Sequence, residues 1–330
     1  MSTVNRRNVL RGAAMGVVAQ SLPLGARAQA ALDLATAYPA GNFHVQNLRQ
    51  MADDLAQPAA GGLTLRIHPG GSLIKAAGIR EAVEAGQVAV GEVFGPSLSA
   101  LNGAFALDAV PFLATNYTLA RKLWTTLQPK VEALLRERGL VLLLSVPWPP
   151  QGLFSNVPLT VASDLEGLRM RENSPPVRRL AELARTQPVR VETPELAAAA
   201  AERKIDLVFT SAAQGLETQL HEAMPYYYEA NAWLPRNLVF MHRASHERLP
   251  AAQRQAFTRA AKAAEERGWS ASTAFARSST EVLIKTRGVK HSPLSPNVRV
   301  HLDRLGNQIA RETLRAGGTD LLALAGSFLR

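Results

Sequence analysis

The sequence predicts an α/β fold: a two-lobe clamshell with mixed sheets, hinge crossings between the lobes and a long helix that spans both. Short apolar strands alternate with amphipathic helices along most of the chain, as in a mixed sheet covered by helices. The chain has 330 residues, more than one hydrophobic core usually accommodates, so two lobes are expected. A stiff segment, PWPPQG at 147–152, separates two such series of elements.

The first series of elements precedes that segment. Apolar residues mark a strand from Leu32 to the turn at 39–41, a helix from Phe43 to Pro58 and, by alternation at period two, a strand at 63–67. The remaining predicted elements are a short helix at 79–83, a strand at 88–94, a helical segment at 117–139 that breaks at Pro129, and a buried strand at 140–146.

The second series follows it. Thr193 is expected to cap a helix whose first residue is Pro194. A return strand at 237–241 before an unusually long helix suggests that the chain passes back to the first lobe. The other predicted elements are strands at 168–171, 189–191 and 205–209, and helices at 175–185, 250–284 and 298–314.

The first residues are typical of an export signal. Arg6 and Arg7 precede an apolar stretch at 12–24, which is shorter than a membrane span, and the segment ends in a small-x-small pattern. We interpret residues 1–28 as a twin-arginine signal, cleaved after Ala28 or Ala30, which predicts a periplasmic protein. The first lobe is then expected at 31–147 plus about 238–284, and the second at 148–237 plus about 285–330.

Charge and cysteine content exclude several function classes. Without residues 1–28 the chain keeps 37 − 4 = 33 basic residues against 27 acidic ones, a net charge of +6 instead of +10. The basic residues are scattered among acidic ones, which argues against a nucleic-acid partner. The chain has no cysteine, which excludes disulfides, thiolate metal sites and cysteine nucleophiles. We expect no cofactor.

Enzyme motifs offer an alternative reading, a periplasmic hydrolase or metalloenzyme. His242 and His246 are four residues apart, as metal ligands on one helical face are, but no His-Glu-x-x-His pattern is present. Gly70 and Gly71 resemble an oxyanion loop, yet no Gly-x-Ser-x-Gly elbow follows. A solvated histidine pair and a simple glycine turn are the expected explanations, and no enzymatic activity is predicted.

Several segments together resemble the solute-binding receptors of TRAP (tripartite ATP-independent periplasmic) transporters, the DctP type. They are YPAGNFH at 38–44, HPGGSL at 68–73, EAVEAGQV at 81–88, LDAVPFL at 107–113, DLEGLRMR at 164–171 and AWLPRN at 232–237. The resemblance implies a two-lobe receptor without catalysis, a small organic carboxylate as ligand and integral membrane transporter subunits as partners. A receptor of another uptake system would share the fold but have different partners.

In this family the arginine on the strand after the Asp-Leu-x-Gly turn pairs with the ligand carboxylate, and Arg171 matches that position. A guanidinium offers a planar fork of donors to both carboxylate oxygens. An ion pair between Arg171 and Glu172 at the surface is the alternative. Thr210 stands where many members carry asparagine, and its hydroxyl and that of Ser211 still offer hydrogen bonds.

Further candidate ligand contacts are Asn173, which follows the arginine strand, and aromatic or polar residues at predicted loops, strand ends and the crossover. They are Tyr38, Phe43, His44, Trp148, Gln151, Trp233 and Asn237. Tyr226, Tyr227 and Tyr228 are expected in the core instead. These aromatic candidates favour an aromatic or hydroxylated monocarboxylate as ligand, with a sugar acid or a C4-dicarboxylate as alternatives.

Overall fold

A computed structural model describes residues 31–58 and 62–329. The predicted export signal and the glycine at position 61 lie outside these residues. The strands that it describes are β1 (Leu32–Ala35), β2 (Leu65–His68), β3 (Val90–Phe94), β4 (Leu140–Pro147), β5 (Gly152–Ser155), β6 (Arg169–Glu172), β7 (Gln187–Arg190), β8 (Leu207–Thr210), β9 (Tyr226–Tyr228), β10 (Arg236–His242) and β11 (Lys290–Ser292).

Helices connect most of these strands. They are α1 (Phe43–Ala56), α2 (Ile79–Glu84), α3 (Tyr117–Glu137), α4 (Pro175–Leu183), α5 (Leu196–Ala201), α6 (Ala212–Glu217), α7 (Leu220–Ala223), α8 (Arg243–Glu247), α9 (Ala251–Lys285), α10 (Pro296–Ala316) and α11 (Gly318–Leu329). The α/β fold class predicted from the alternation of strands and helices is confirmed.

The strands form two mixed sheets within the described residues. The first has the order β2-β1-β3-β10-β4 and the second the order β11-β9-β5-β8-β6-β7. The chain leaves the first sheet at Pro147 and enters the second at Gly152, and it returns when β10 inserts antiparallel between β3 and β4. The crossover therefore falls on the proline-rich segment, where missing N–H donors end the sheet.

The long helix α9 contacts elements of both sheets, namely α1 and β4 on one side and α6 on the other. Its buried face carries small residues such as Ala260, Ala264 and Gly268. A Cβ on Gly268 would lie 2.3 Å from the Val146 side chain, so glycine permits the close approach of helix and strand. This packing agrees with the predicted long helix across both lobes.

The expected break at Pro129 is absent from the structure. Helix α3 runs through Pro129 without a break, because its buried face on both sides includes Leu127 and Val131 while Pro129 and Thr125 are exposed. The carbonyl that Pro129 leaves without a donor can meet water there. Helix α11 packs against α10 and α3, and its buried Leu321 lies against Gly103.

Candidate ligand-binding site

A double-glycine turn after β2 positions two residues that follow β1. Gly70 and Gly71 have φ values of 67° and 65°, which a side chain would disfavour. Their N–H groups donate to the carbonyls of Tyr38 and Thr36, at 2.7 and 2.9 Å. The predicted simple turn is thus present, and it fixes the backbone from which Thr36 and Tyr38 project.

Arg171 on β6 is buried, with 4% of its surface exposed. Its Nε donates to the Val191 carbonyl at 3.0 Å and its Nη2 to Thr193 Oγ1 at 3.3 Å. Thr193 was expected to cap a helix, but it lies within a 3-10 turn before α5 and supports the guanidinium instead. Burial lowers the pKa of Arg171 to about 10, so the group stays charged at neutral pH.

No carboxylate of the described residues lies within ion-pair distance of this charge. The expected alternative, a surface pair with Glu172, is wrong because Glu172 binds Arg178 Nε at 2.7 Å and its side chain is buried. A buried cation normally has a partner, since desolvation costs several kcal/mol. Arg171 is therefore a buried charge at which an ion-pair partner is missing among the described residues.

Arg171 borders a cavity of about 400 Å³ between the carboxyl ends of strands from both sheets. This volume is in the usual range for small-molecule sites. Six of the predicted contact residues line it: Tyr38, Trp148, Gln151, Arg171, Asn173 and Thr210. The cavity thus joins residues that lie as far apart in the chain as Tyr38 and Thr210.

The other predicted contacts stand behind the cavity wall and support it. Phe43 and His44 pack on the Trp148 ring at 5.4 and 4.4 Å between centroids. Ser211 caps α6 by accepting from the N–H of Gln214 at 3.2 Å. The Trp233 ring packs at a tilt against Phe209, with 5.1 Å between centroids, and the Trp233 carbonyl accepts from the Gln151 N–H at 2.9 Å. Asn237 Oδ1 accepts from Trp148 Nε1 at 2.9 Å.

Two of the three tyrosines of β9 are buried in the core, as expected, on opposite faces of the sheet, and Tyr226 is partly buried. Tyr227 and Tyr228 are buried, and Tyr227 lies 4.6 Å from the Phe154 ring. The Tyr228 hydroxyl accepts from the Leu159 N–H at 2.8 Å. None of the three lines the cavity of about 400 Å³ among its described lining residues.

Glu92 is a cavity residue that sequence reasoning missed. It lies in the middle of β3 and is 1% exposed. Its Oε2 accepts from the Thr36 hydroxyl at 2.6 Å, and its Oε1 accepts from Asn237 Nδ2 at 2.9 Å. His44 Nδ1 is 3.5 Å from Oε1, and burial lowers the pKa of His44 to about 3, so the imidazole is neutral. An acidic residue inside a strand of five residues was the available signal.

Burial also raises the pKa of Glu92 to about 7 from 4.5. Because the folded pKa lies above the unfolded one, the folded state holds this proton more tightly, and the unfolding free energy falls as the pH rises through that interval. Glu92→Gln removes this pH dependence. As the pH rises from 4 to 8, we expect the unfolding free energy of the variant to increase by about 3 kcal/mol relative to that of the wild type. Urea unfolding of both proteins across this range measures the difference, and parallel profiles would contradict the buried charge.

A polar contact joins the two sets of elements beside the cavity. Asn42 caps α1, and its Nδ2 donates to Glu217 Oε2 at 2.9 Å at the end of α6. Gln214, a second missed cavity residue, donates to the same oxygen at 3.1 Å. The carboxylate of Glu217 therefore connects the cavity wall to the start of α1.

The two histidines of the enzyme alternative lie at the end of β10 and in the short helix α8. His242 Nδ1 lies 3.1 Å from the Ser245 hydroxyl at the end of β10. Across residues 31–58 and 62–329, no group of three or more histidine, aspartate or glutamate side chains could hold a metal ion. No helix in the same part of the chain is long and apolar enough to cross a membrane.

Comparisons with known proteins agree with this architecture. Residues 34–315 match the family model of DctP, bacterial extracellular solute-binding protein family 7. Two Bordetella pertussis receptors described as binding pyroglutamic acid, DctP6 and DctP7, share 36% and 32% identity, each over 91% of this chain, with a TM-score of 0.88 for both. The match covers 99% of DctP6 and 100% of DctP7.

A marine metagenome TRAP solute-binding protein, described as specific for pyroglutamate, shares 31% identity over 91% of this chain and 98% of its own, with a TM-score of 0.87. No protein with a curated function matches. The family model spans most of the chain, and the predicted resemblance is confirmed. The chain belongs to the DctP family of bacterial extracellular solute-binding proteins.

Proposed function

We propose that this protein is the receptor of a TRAP transporter for pyroglutamate, the cyclic amide of glutamate. The observation that carries the proposal is the buried guanidinium of Arg171, which borders the cavity without an ion-pair partner among the described residues. A ligand carboxylate supplies the missing charge through two parallel hydrogen bonds. Pyroglutamate carries one such carboxylate on a small ring.

The ligands of the related receptors support a small ring as part of the proposed ligand. The three structures described above, each more than 30% identical to this chain, are described as pyroglutamate-binding. In this chain Tyr38 and Trp148, whose rings are 5.1 Å apart, form an aromatic part of the cavity wall on which a flat five-membered ring can pack. Gln151, Asn173 and Thr210 offer polar groups for the ring carbonyl.

The proposal assigns a cellular place and partners to the receptor. Extracellular solute-binding proteins work outside the cytoplasmic membrane, and the adjacent arginines near the start of the chain indicate the twin-arginine route into the periplasm. There the receptor delivers its ligand to integral membrane subunits of the transporter. Family membership does not favour the hydrolase or metalloenzyme alternative.

Thermal unfolding with a panel of carboxylates tests the ligand. L-pyroglutamate at about 100 times its Kd is expected to stabilise the purified protein by about 2.7 kcal/mol, because only the folded state binds it. The panel includes aromatic and hydroxylated monocarboxylates, glucuronate and a C4-dicarboxylate. Titration calorimetry then gives the Kd of each ligand that raises the Tm. Stronger stabilisation by another member of the panel would refute the assignment.

A further inference from the structure

The hydrogen-bond directions around Glu92 indicate what the cavity demands of its ligand. Thr36 Oγ1 accepts from the N–H of Tyr38 at 3.3 Å, so its own hydroxyl proton points to Glu92 Oε2. The neutral ring of His44 also lies nearby, with its Nδ1 3.5 Å from Glu92 Oε1. Thr36 therefore presents a donor to the carboxyl group of Glu92.

Asn237 presents a donor as well. Its Oδ1 accepts from Trp148 Nε1 at 2.9 Å and from the Tyr38 hydroxyl at 3.2 Å, and these two donors fix which end of the amide is oxygen. The Nδ2 end must then face Glu92 Oε1. Strand register supports this, because Val239 pairs with Glu92 and Asn237 is the diagonal neighbour on the same face.

Above its pKa of about 7 the carboxyl group is ionised, and Glu92 is then held as a hydrogen-bond acceptor at the cavity wall. Each carboxyl oxygen has two lone pairs, and the described contacts with Thr36 and Asn237 use one on each. A ligand that places a polar atom against Glu92 must bring a donor of its own. A ligand group that lacks a donor leaves a buried acceptor unpaired, which costs about 1–3 kcal/mol.

We propose that Glu92 is a specificity residue that accepts a hydrogen bond from the ring N–H of the ligand, so that the receptor selects cyclic amides over carbocyclic rings of the same shape. This inference rests on the proposed function and extends it. Arg171, on a strand of the second sheet, holds the carboxylate, and Glu92, on a strand of the first sheet, holds the N–H. Tyr38 lies near both residues, because the charge of Glu92 raises the pKa of the Tyr38 hydroxyl and the charge of Arg171 lowers it.

The test compares two ligands that differ in one group. L-pyroglutamate and 3-oxocyclopentane-1-carboxylate of matching configuration share the ring, the carbonyl and the carboxylate, but the second has a methylene in place of the N–H. Calorimetry on the wild-type protein at pH 8.5, where Glu92 is ionised, is expected to give a Kd for pyroglutamate about 10- to 100-fold lower than for the carbocyclic ligand. This comparison needs no variant, so it does not depend on the folding of one.

Glu92→Gln then assigns the preference to this residue. The glutamine side chain carries an NH₂ donor in place of one carboxylate oxygen, so it accepts the ring N–H less well. The ratio of the two Kd values is therefore expected to fall below about threefold. Glu265→Gln is the matched control, because Glu265 also accepts hydrogen bonds in a partly buried place, from the Ser145 N–H and Trp124, but does not line the cavity. That variant should keep the wild-type ratio.

The possible failures are separable. Equal binding of the two ligands by wild type, or a ratio that survives Glu92→Gln, would overturn the role of Glu92 while leaving pyroglutamate as ligand. Failure of wild type to bind pyroglutamate at all would overturn both the proposed function and the inference that rests on it.

Discussion

Arg171→Ala is expected to cost about 2–5 kcal/mol of ligand-binding free energy, roughly 30-fold to several thousand-fold in Kd. The side chain is buried and forms no ion pair among the described residues, so in the proposed complex the ligand carboxylate meets a charge that water screens little. Truncation leaves that carboxylate unpaired in the cavity. Calorimetric titration with pyroglutamate measures the loss.

Two further variants isolate the cause. Arg171→Lys keeps the charge but loses the planar fork, so its affinity should lie between those of wild type and the alanine variant. Arg178→Ala is the matched control: this half-exposed arginine binds Glu172 beside the same strand and does not line the cavity. Unchanged affinity in Arg171→Ala, with the control equal to wild type, would remove Arg171 from the site.

Asp108→Ala is expected to lower the unfolding free energy by about 3–5 kcal/mol. Asp108 Oδ2 accepts from the backbone N–H and the Nε of Arg236, at 3.0 and 2.9 Å, and both side chains are buried. Arg236 stands where the chain returns to the first sheet, with its guanidinium 4.6 Å from the Trp124 ring centre. Removal of the carboxylate leaves the buried guanidinium of Arg236 without its ion-pair partner.

A double-mutant cycle at pH 7.5 distinguishes a lost pair from general damage. Arg236→Met on its own should also destabilise, and the double variant should lose clearly less than the sum of the single losses, because neither charge is then left alone. Glu281→Ala breaks an exposed pair with Lys285 on α9 and should change the unfolding free energy by less than about 1 kcal/mol. Additive losses in the cycle would contradict the pairing.

Much of the fold was predictable because its signals are local. Apolar periodicity placed the long helix at 250–284, and the structure has it at Ala251–Lys285. The short strands β5 and β11 were missed, since four and three residues give too little periodicity. The prediction of a helix break at Pro129 was wrong for another reason. Burial of apolar residues on both sides of Pro129 stabilises the helix by more than one proline on the exposed face destabilises it.

Some residues of the candidate site could likewise be identified from local sequence, and others could not. Arg171 was identified from the DLEGLRMR motif, and Trp148 and Gln151 from the crossover segment, all of which can be read along the chain. Glu92 was missed, because its role depends on Thr36 and Asn237, which are 56 and 145 residues away. Phe43, His44, Ser211, Trp233 and Asn237 were assigned to the ligand, but they contact the residues that line the cavity.

Sequence alone established the α/β architecture, the family and the arginine expected to meet a carboxylate, since these follow from periodicity and from motifs of a few consecutive residues. Whether that arginine has a partner within the protein could not be read in this way. Pairing and burial are properties of groups brought together by folding, and local periodicity carries no information about them. Folding leaves Arg171 without an ion pair among the described residues and directs two donors, Thr36 and Asn237, at Glu92, and the proposals about the ligand rest on these two facts.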